Sequence, residues 1–163
     1  MPEVLFAPWR YEYLVSDKKN GCIFCDAAAS RDDDGSLVVH RGRRVFVLLN
    51  RYPYTNGHVM VAPYAHTAWL SDSDGATLAE LIETVARAQK ILVSHYRTDG
   101  LNVGINFGSA AGAGVADHYH VHVVPRWAGD TNFMTVAGDV RVVPETLSDT
   151  RNRLAPLFAE TAA

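Results

Sequence analysis

The stretch Asp117 to Trp127 reads Asp-His-Tyr-His-Val-His-Val-Val-Pro-Arg-Trp, with three histidines at alternate positions, apolar residues between them and a proline near its end. Alternation with period two is the pattern of a half-buried β-strand, in which side chains two apart share a face roughly 6.6 Å from one another. His118, His120 and His122 are therefore expected on one face, with Tyr119, Val121 and Val123 filling the core on the other. A row of groups that repel one another once protonated contributes nothing to a fold by itself, so the row points to chemistry. Two kinds are open. The imidazoles hold a metal ion, or one of them is a nucleophile that the others serve.

The flanks favour an anionic substrate. Gly104 to Gly114 carries four glycines in eleven residues, and Arg126 follows the row. Glycines let backbone N–H groups approach an anion closely, and arginine prefers phosphate or carboxylate oxygens. A phosphate suits this setting better than a bare metal centre.

His118-Tyr-His120-Val-His122-Val-Val resembles the His-φ-His-φ-His-φ-φ signature of the histidine triad nucleotide hydrolases and transferases. Upstream, Leu49-Asn50-Arg51-Tyr52-Pro53 and Gly57-His58-Val59-Met60-Val61-Ala62-Pro63 resemble that family's second block. The likeness spans residues 20 to 130. Ala7-Pro8-Trp9-Arg10 and the run from Arg126 to Phe133 are similar to the bacterial branch that acts on diadenosine polyphosphates.

The resemblance implies an enzyme in which His120 is the nucleophile, attacking an α-phosphorus to give a nucleotidyl-histidine that an acceptor then cleaves. It implies that His122 and His58 orient His120 and hydrogen-bond the transferring phosphate, and that Asn50 takes a ribose hydroxyl. Asn106, Gly112, Ala113, Gly114 and Val115 would line the phosphate path, with Arg126 beside it, where fixed donors stabilise developing charge. One departure stands out: relatives carry a glutamine and a hydroxyl residue where Gly114 and Val115 stand, so backbone N–H groups of residues 113–115 would have to serve instead. On that ground hydrolysis is expected over phosphorolysis, since a second anion needs further donors. A nucleoside phosphoramidase is the nearest alternative. A zinc lyase or oxygenase using the row as ligands, or a nucleotide-binding module without turnover, are rivals of another kind.

Cys22 and Cys25 are the two cysteines of the chain. A disulfide is disfavoured in a cytoplasmic protein, and a thioredoxin-like pair calls for a preceding strand and a convincing helix. The third reading is zinc, for which two cysteines fill half of a tetrahedral site. Some members of the family complete such a site with the first histidine of the row, which implies His66 and His118 as the remaining ligands and gives His118 a structural role. No organic cofactor is called for.

At 163 residues and 48% hydrophobic, the chain suffices for one domain with its own core. Residues 1–20 are expected as an N-terminal arm, 21–127 as the core and 128–163 as a C-terminal extension. The net charge of −3 leaves no broad basic face for extended nucleic acid. The N-terminus has no basic stretch leading into an apolar run, and no segment approaches about eighteen consecutive apolar residues, so a soluble cytoplasmic protein is expected. The resemblance implies a homodimer acting on a small nucleotide.

The expected fold is α+β, a five-stranded antiparallel sheet with one long helix and a C-terminal helix. Strands are expected over 37–40, 44–49, 58–63, 101–107 and the histidine row. Ser71 to Asp74 offers N-caps for the long helix, whose apolar stripe reads Leu78, Leu81, Ile82, Val85, Gln89 and Leu92. A short strand is expected over 140–143 and a terminal helix after Pro144, burying Leu147, Leu154 and Leu157. Phe46, Leu48 and Val61 offer an adenine surface, with core packing the favoured job for any one of them.

Overall fold

The computed structural model describes residues 21–131 and 143–160. The expected N-terminal arm, the Asn132-Phe133 end of the run after Arg126 and all but the last residue of the strand expected over 140–143 lie outside these residues.

The described chain forms α1 (Ile23–Ala29), β1 (Val38–Arg41), β2 (Val45–Leu49), β3 (Val59–Pro63), α2 (Gly75–Tyr96), β4 (Gly100–Gly104), β5 (Val121–Arg126) and α3 (Leu147–Glu160). The five strands make one sheet in the order β1-β2-β3-β5-β4, every neighbouring pair antiparallel, as expected. β2 and β3 are buried along their whole length because both faces of the sheet centre are covered. On one face Val47, Leu49, Val59, Val61, Tyr119, Val121 and Val123 meet Leu81, Val85, Ala88 and Leu92 of α2 and Leu154 and Phe158 of α3. On the other, Phe46, Leu48, Met60 and Ala62 pack beneath Phe24 and Ala27 of α1. Phe46 and Leu48 are thus core under α1 and Val61 is core on the opposite face, so these three do not form an adenine surface.

α2 starts where the cap residues placed it. The Asp74 carboxylate accepts the Thr77 N–H at 2.7 Å, and Arg97 ends the helix in the left-handed conformation at φ 49°. Its buried stripe is Thr77, Leu81, Thr84, Val85, Ala88, Ile91 and Leu92, whereas Ile82 is 64% exposed and Gln89 lies outside. The stripe is turned from the expected one because small Thr84 and Ala88 face the sheet, where short side chains let a helix approach closely.

β4 ends at Gly104, paired with His122, and β3 contributes Val61 opposite Val121. The ladder therefore begins at Val121, and His118 and His120 stand in a lead-in that the Tyr119 N–H ties to Thr67 O at 2.8 Å. Alternation survives in this lead-in. Tyr119 enters the α2-side core, and the histidines turn toward α1.

Candidate active site

Backbone partners assign each tautomer in the row. His118 and His120 are buried, at 0% and 4% exposure, and His122 is half-buried. His120 Nδ1 lies 3.0 Å from His118 O, a carbonyl that can only accept, so Nδ1 carries the proton and Nε2 keeps its lone pair. The Tyr54 N–H donates to His58 Nδ1 at 3.1 Å, which leaves His58 Nε2 as the donor to His122 Nδ1 at 3.0 Å. His122 consequently holds its proton on Nε2. One imidazole thus offers a lone pair while its neighbour, 4.8 Å away between centroids, offers an N–H.

Burial lowers the pKa of His120 although its bond to His118 O acts the other way. Burial, and then His120, push His122 down to about 4. The sign for stability follows: the unfolded chain takes up the His122 proton near the ordinary value of about 6.5, the folded chain only near 4, so stability rises with pH across that window and is lost on acidification. Unfolding free energies from denaturant titrations are expected to fall between about pH 7 and about pH 5, by at most ~1.4 kcal/mol per pH unit for this group, and to fall less steeply in His122→Gln. Equal slopes in the two proteins would count against a neutral, buried His122.

A second cluster adjoins the row. His118 Nε2 faces Pro63 O at 2.9 Å and must donate to it, so His118 Nδ1 presents its lone pair to Cys22 Sγ at 3.3 Å and Cys25 Sγ at 3.7 Å. His66 Nδ1 lies 3.3 Å from Cys25 Sγ, and the four ligand atoms lie within 4.8 Å of one another. Tetrahedral zinc with ordinary bond lengths sets sulfur and nitrogen about 3.6 Å apart, so this donor set fits such an ion. Burial and then the neighbouring Cys22 raise the Cys25 thiol, and a bound cation reverses that preference. The cysteines are N-cap and first turn of α1, and His66 follows β3.

The remaining expected residues divide. Asn106, His122 and Arg126 line one open cleft of about 790 Å³ together with Tyr54, Asn56 and Trp127. Arg126 is held in a two-point pair with Asp130, at 2.6 and 3.0 Å, and donates to Asn102 at 2.8 Å, so a carboxylate already balances its charge. Asn50 serves the turn: its Oδ1 accepts the Tyr52 N–H at 2.9 Å and its N–H binds His58 O at 3.1 Å. In the glycine segment, Gly108 and Gly112 adopt φ 73° and 85° around the single turn Ser109–Ala111. The Gly112 N–H binds Ser109 O and the Ala113 N–H binds Gly108 O, which commits Ala113, one of the expected phosphate donors, to the turn. Val115 packs with the Phe24 cluster.

Two contributors were not foreseen. The Phe24 ring lies 4.5 Å from His120 and 5.1 Å from His118, walling off both, and the Tyr54 backbone sets the His58 tautomer. Phe24 stands between the cysteines in Cys-Ile-Phe-Cys, which hints at its place, whereas no side-chain pattern announces a backbone donor.

The HIT domain family matches residues 32–129. The chain belongs to the HIT domain family. It is 40% identical over 95% of its length to "AP-4-A phosphorylase" of Mycobacterium tuberculosis, covering 84% of that protein. Among solved structures, a Zn-bound histidine triad protein from Mycobacterium smegmatis superposes with a TM-score of 0.68 at 28% identity, over 86% of this chain and 95% of that one. A hypothetical histidine triad nucleotide-binding protein from Sulfolobus tokodaii gives 0.66 at 26% identity, over 85% and 93%. Such a HIT chain, with its row and second block in place, is a nucleotidyl hydrolase or transferase.

Proposed function

We propose that this HIT protein cleaves diadenosine tetraphosphate by nucleotidyl transfer through His120, with orthophosphate as the acceptor. The observation that carries the chemistry is the unprotonated His120 Nε2, aimed away from the carbonyl that holds Nδ1. In the first step Nε2 forms a bond to an α-phosphorus and the bond from that phosphorus to the bridging oxygen breaks, so ATP departs. His122 Nε2–H, supported by His58, donates to the phosphate as charge develops. The Nδ1–H bond to His118 O stabilises the positive charge that the substituted imidazole acquires. In the second step the acceptor attacks phosphorus and His120 leaves. With orthophosphate the product is ADP; with water it is AMP.

The likeness to the Mycobacterium tuberculosis phosphorylase favours orthophosphate. Hydrolysis is the second reading, supported by Gly114 and Val115, which offer no side-chain donor for another anion. Asn106 and Arg126 belong to the same cleft as His122, the Arg126–Asp130 pair presenting a positioned donor set in place of a bare charge. Incubation with diadenosine tetraphosphate, with and without excess orthophosphate, is expected to release ATP and ADP only when phosphate is present. Release of ATP and AMP regardless of phosphate would assign water as the acceptor, and cleavage of adenosine phosphoramidate alone would replace the substrate class.

The metal in this reading is zinc, held by Cys22, Cys25, His66 and His118. When bound it supplies cross-linking of α1, the β3 exit and the lead-in to β5, a folding contribution without a chemical step. The reading also includes a homodimer, for which the exposed β4 edge at Asn102, Val103 and Gly104 offers backbone groups to a second copy. A cytoplasmic location suits thiols kept reduced for a metal.

A further inference from the structure

We infer that Glu145 is a positioning residue for the His58–His122 pair, acting through Asn56; the inference deepens the nucleotidyl-transfer reading and rests on it for its kinetic consequence. Glu145 lies 87 residues from His58 in sequence, just ahead of α3, and its side chain gathers four partners. Its Oε2 accepts from Asn56 Nδ2 at 3.1 Å, Tyr96 Oη at 3.0 Å and Thr150 Oγ1 at 3.2 Å, and Oε1 pairs with Arg153 at 2.8 Å. Burial and then the Glu145 charge raise the Tyr96 phenol, which keeps it a donor to the carboxylate. The hydrogen bonds of Glu145 run to Asn56, Tyr96, Thr150 and Arg153 and not to His58 or His122. Their reach is through the loop that carries Asn56.

That loop decides a tautomer. Residues 54–57 bring the Tyr54 N–H onto His58 Nδ1. They are held by Thr55 Oγ1 donating to Pro125 O at 2.7 Å, by the His58 N–H on Thr55 O at 3.3 Å and by Asn56 on Glu145. If the Tyr54 N–H withdraws, His58 is free to carry its proton on Nδ1, and its Nε2 then accepts instead of donating. His122 must answer by moving its own proton to Nδ1, and the Nε2–H that faces the transferring phosphate is gone. A single backbone donor thus selects between two arrangements of the pair. Glu145 holds the loop in the productive one.

Asn56 shows the cost of this arrangement. It is 9% exposed, and because Nδ2 must face the carboxylate, its Oδ1 is buried without a hydrogen-bond partner among the described residues. Turning the amide over would set two oxygens against each other. A fold that merely needed to tie the start of α3 to the domain has Tyr96 of α2 for the purpose, Thr150 and Arg153 lying on α3 itself, so an amide held with an orphaned carbonyl marks an orientation that is used.

The test is a spectroscopic one on the full-length, metal-loaded protein labelled with ¹⁵N at histidine. Long-range ¹H–¹⁵N spectra are expected to show His58 and His122 each protonated at Nε2 in the wild type. In Asn56→Ala and Glu145→Ala both residues should show averaged tautomers, with kcat reduced ~10-fold or more and KM within about twofold, as loss of an aligned proton donor predicts. Glu145→Gln keeps an acceptor for Asn56 and should restore both properties. Wild-type tautomers in Asn56→Ala and Glu145→Ala, with any loss confined to melting temperature, would overturn the inference. Asn56→Ala leaves the Tyr96, Thr150 and Arg153 contacts in place, so it reports even if Glu145→Ala fails to fold. The spectra need no substrate. Altered tautomers in a protein whose wild type cleaves no dinucleotide would sustain the positioning role and refute the functional reading instead.

Discussion

Replacing His120 by glycine is expected to abolish turnover, with kcat falling by ~10⁴-fold or more while the protein still folds and binds nucleotide. His120 is the one histidine of the row whose Nε2 is unprotonated and uncommitted to the metal cluster, so no neighbour can take over its attack. The structural cost is modest by comparison. The change removes a ring packed at 4.5 Å against Phe24, a loss of about 1–3 kcal/mol against the ~5–15 kcal/mol of a typical domain. Steady-state rates beside a thermal melt separate the two effects. Near wild-type turnover in a folded variant would rule out the covalent route.

The second large effect is expected in stability. Cys25→Ser should lower the metal content from one ion per chain to a small fraction and depress the melting temperature by about 10 °C, because a structural metal's binding energy is folding energy. The cluster joins α1 to segments 41 and 93 residues away, so losing it removes a cross-link that adds to the packing of Phe24 and Ala27 on the sheet. A chelator should reproduce the shift in the wild type and leave the variant unchanged. The same loss should slow catalysis less than His120→Gly does, since it disturbs His118, whose carbonyl holds His120 Nδ1, and leaves the His120 ring itself. Identical melts of metal-free and metal-loaded wild type would remove the structural role.

The row was legible because period two survives even where the ladder does not. Tyr119 and the histidines sit on the faces that alternation assigns them, although hydrogen-bonded pairing starts only at Val121. Where β4 stops is a matter of pairing partners, and no local pattern marks Gly104 as the end. In α2 the apolar stripe misplaced Ile82 because hydrophobicity ranks it above Thr84 and Ala88, while close approach to the sheet rewards small side chains. Cys22 and Cys25 were legible as half of a zinc site, and the family resemblance supplied His66 and His118; the three sulfur–nitrogen contacts of 3.3 to 3.7 Å among them could not be read from spacing. Arg126 shows the limit of residue chemistry: guanidinium suits phosphate, yet Asp130 four residues on takes its Nε and Nη2 donors and Asn102 takes Nη1. The Glu145–Asn56 tie joins residues 89 apart, beyond any sequence pattern.

The covalent intermediate is the most direct test. The wild-type protein, quenched in alkali during turnover of diadenosine tetraphosphate carrying radiolabel in both adenosines, should retain an acid-labile adenylyl group, and peptide mapping should place it on His120. His120→Gly should retain none. Turnover without any retained label, or label on His118, His122 or a residue outside the row, would contradict the account.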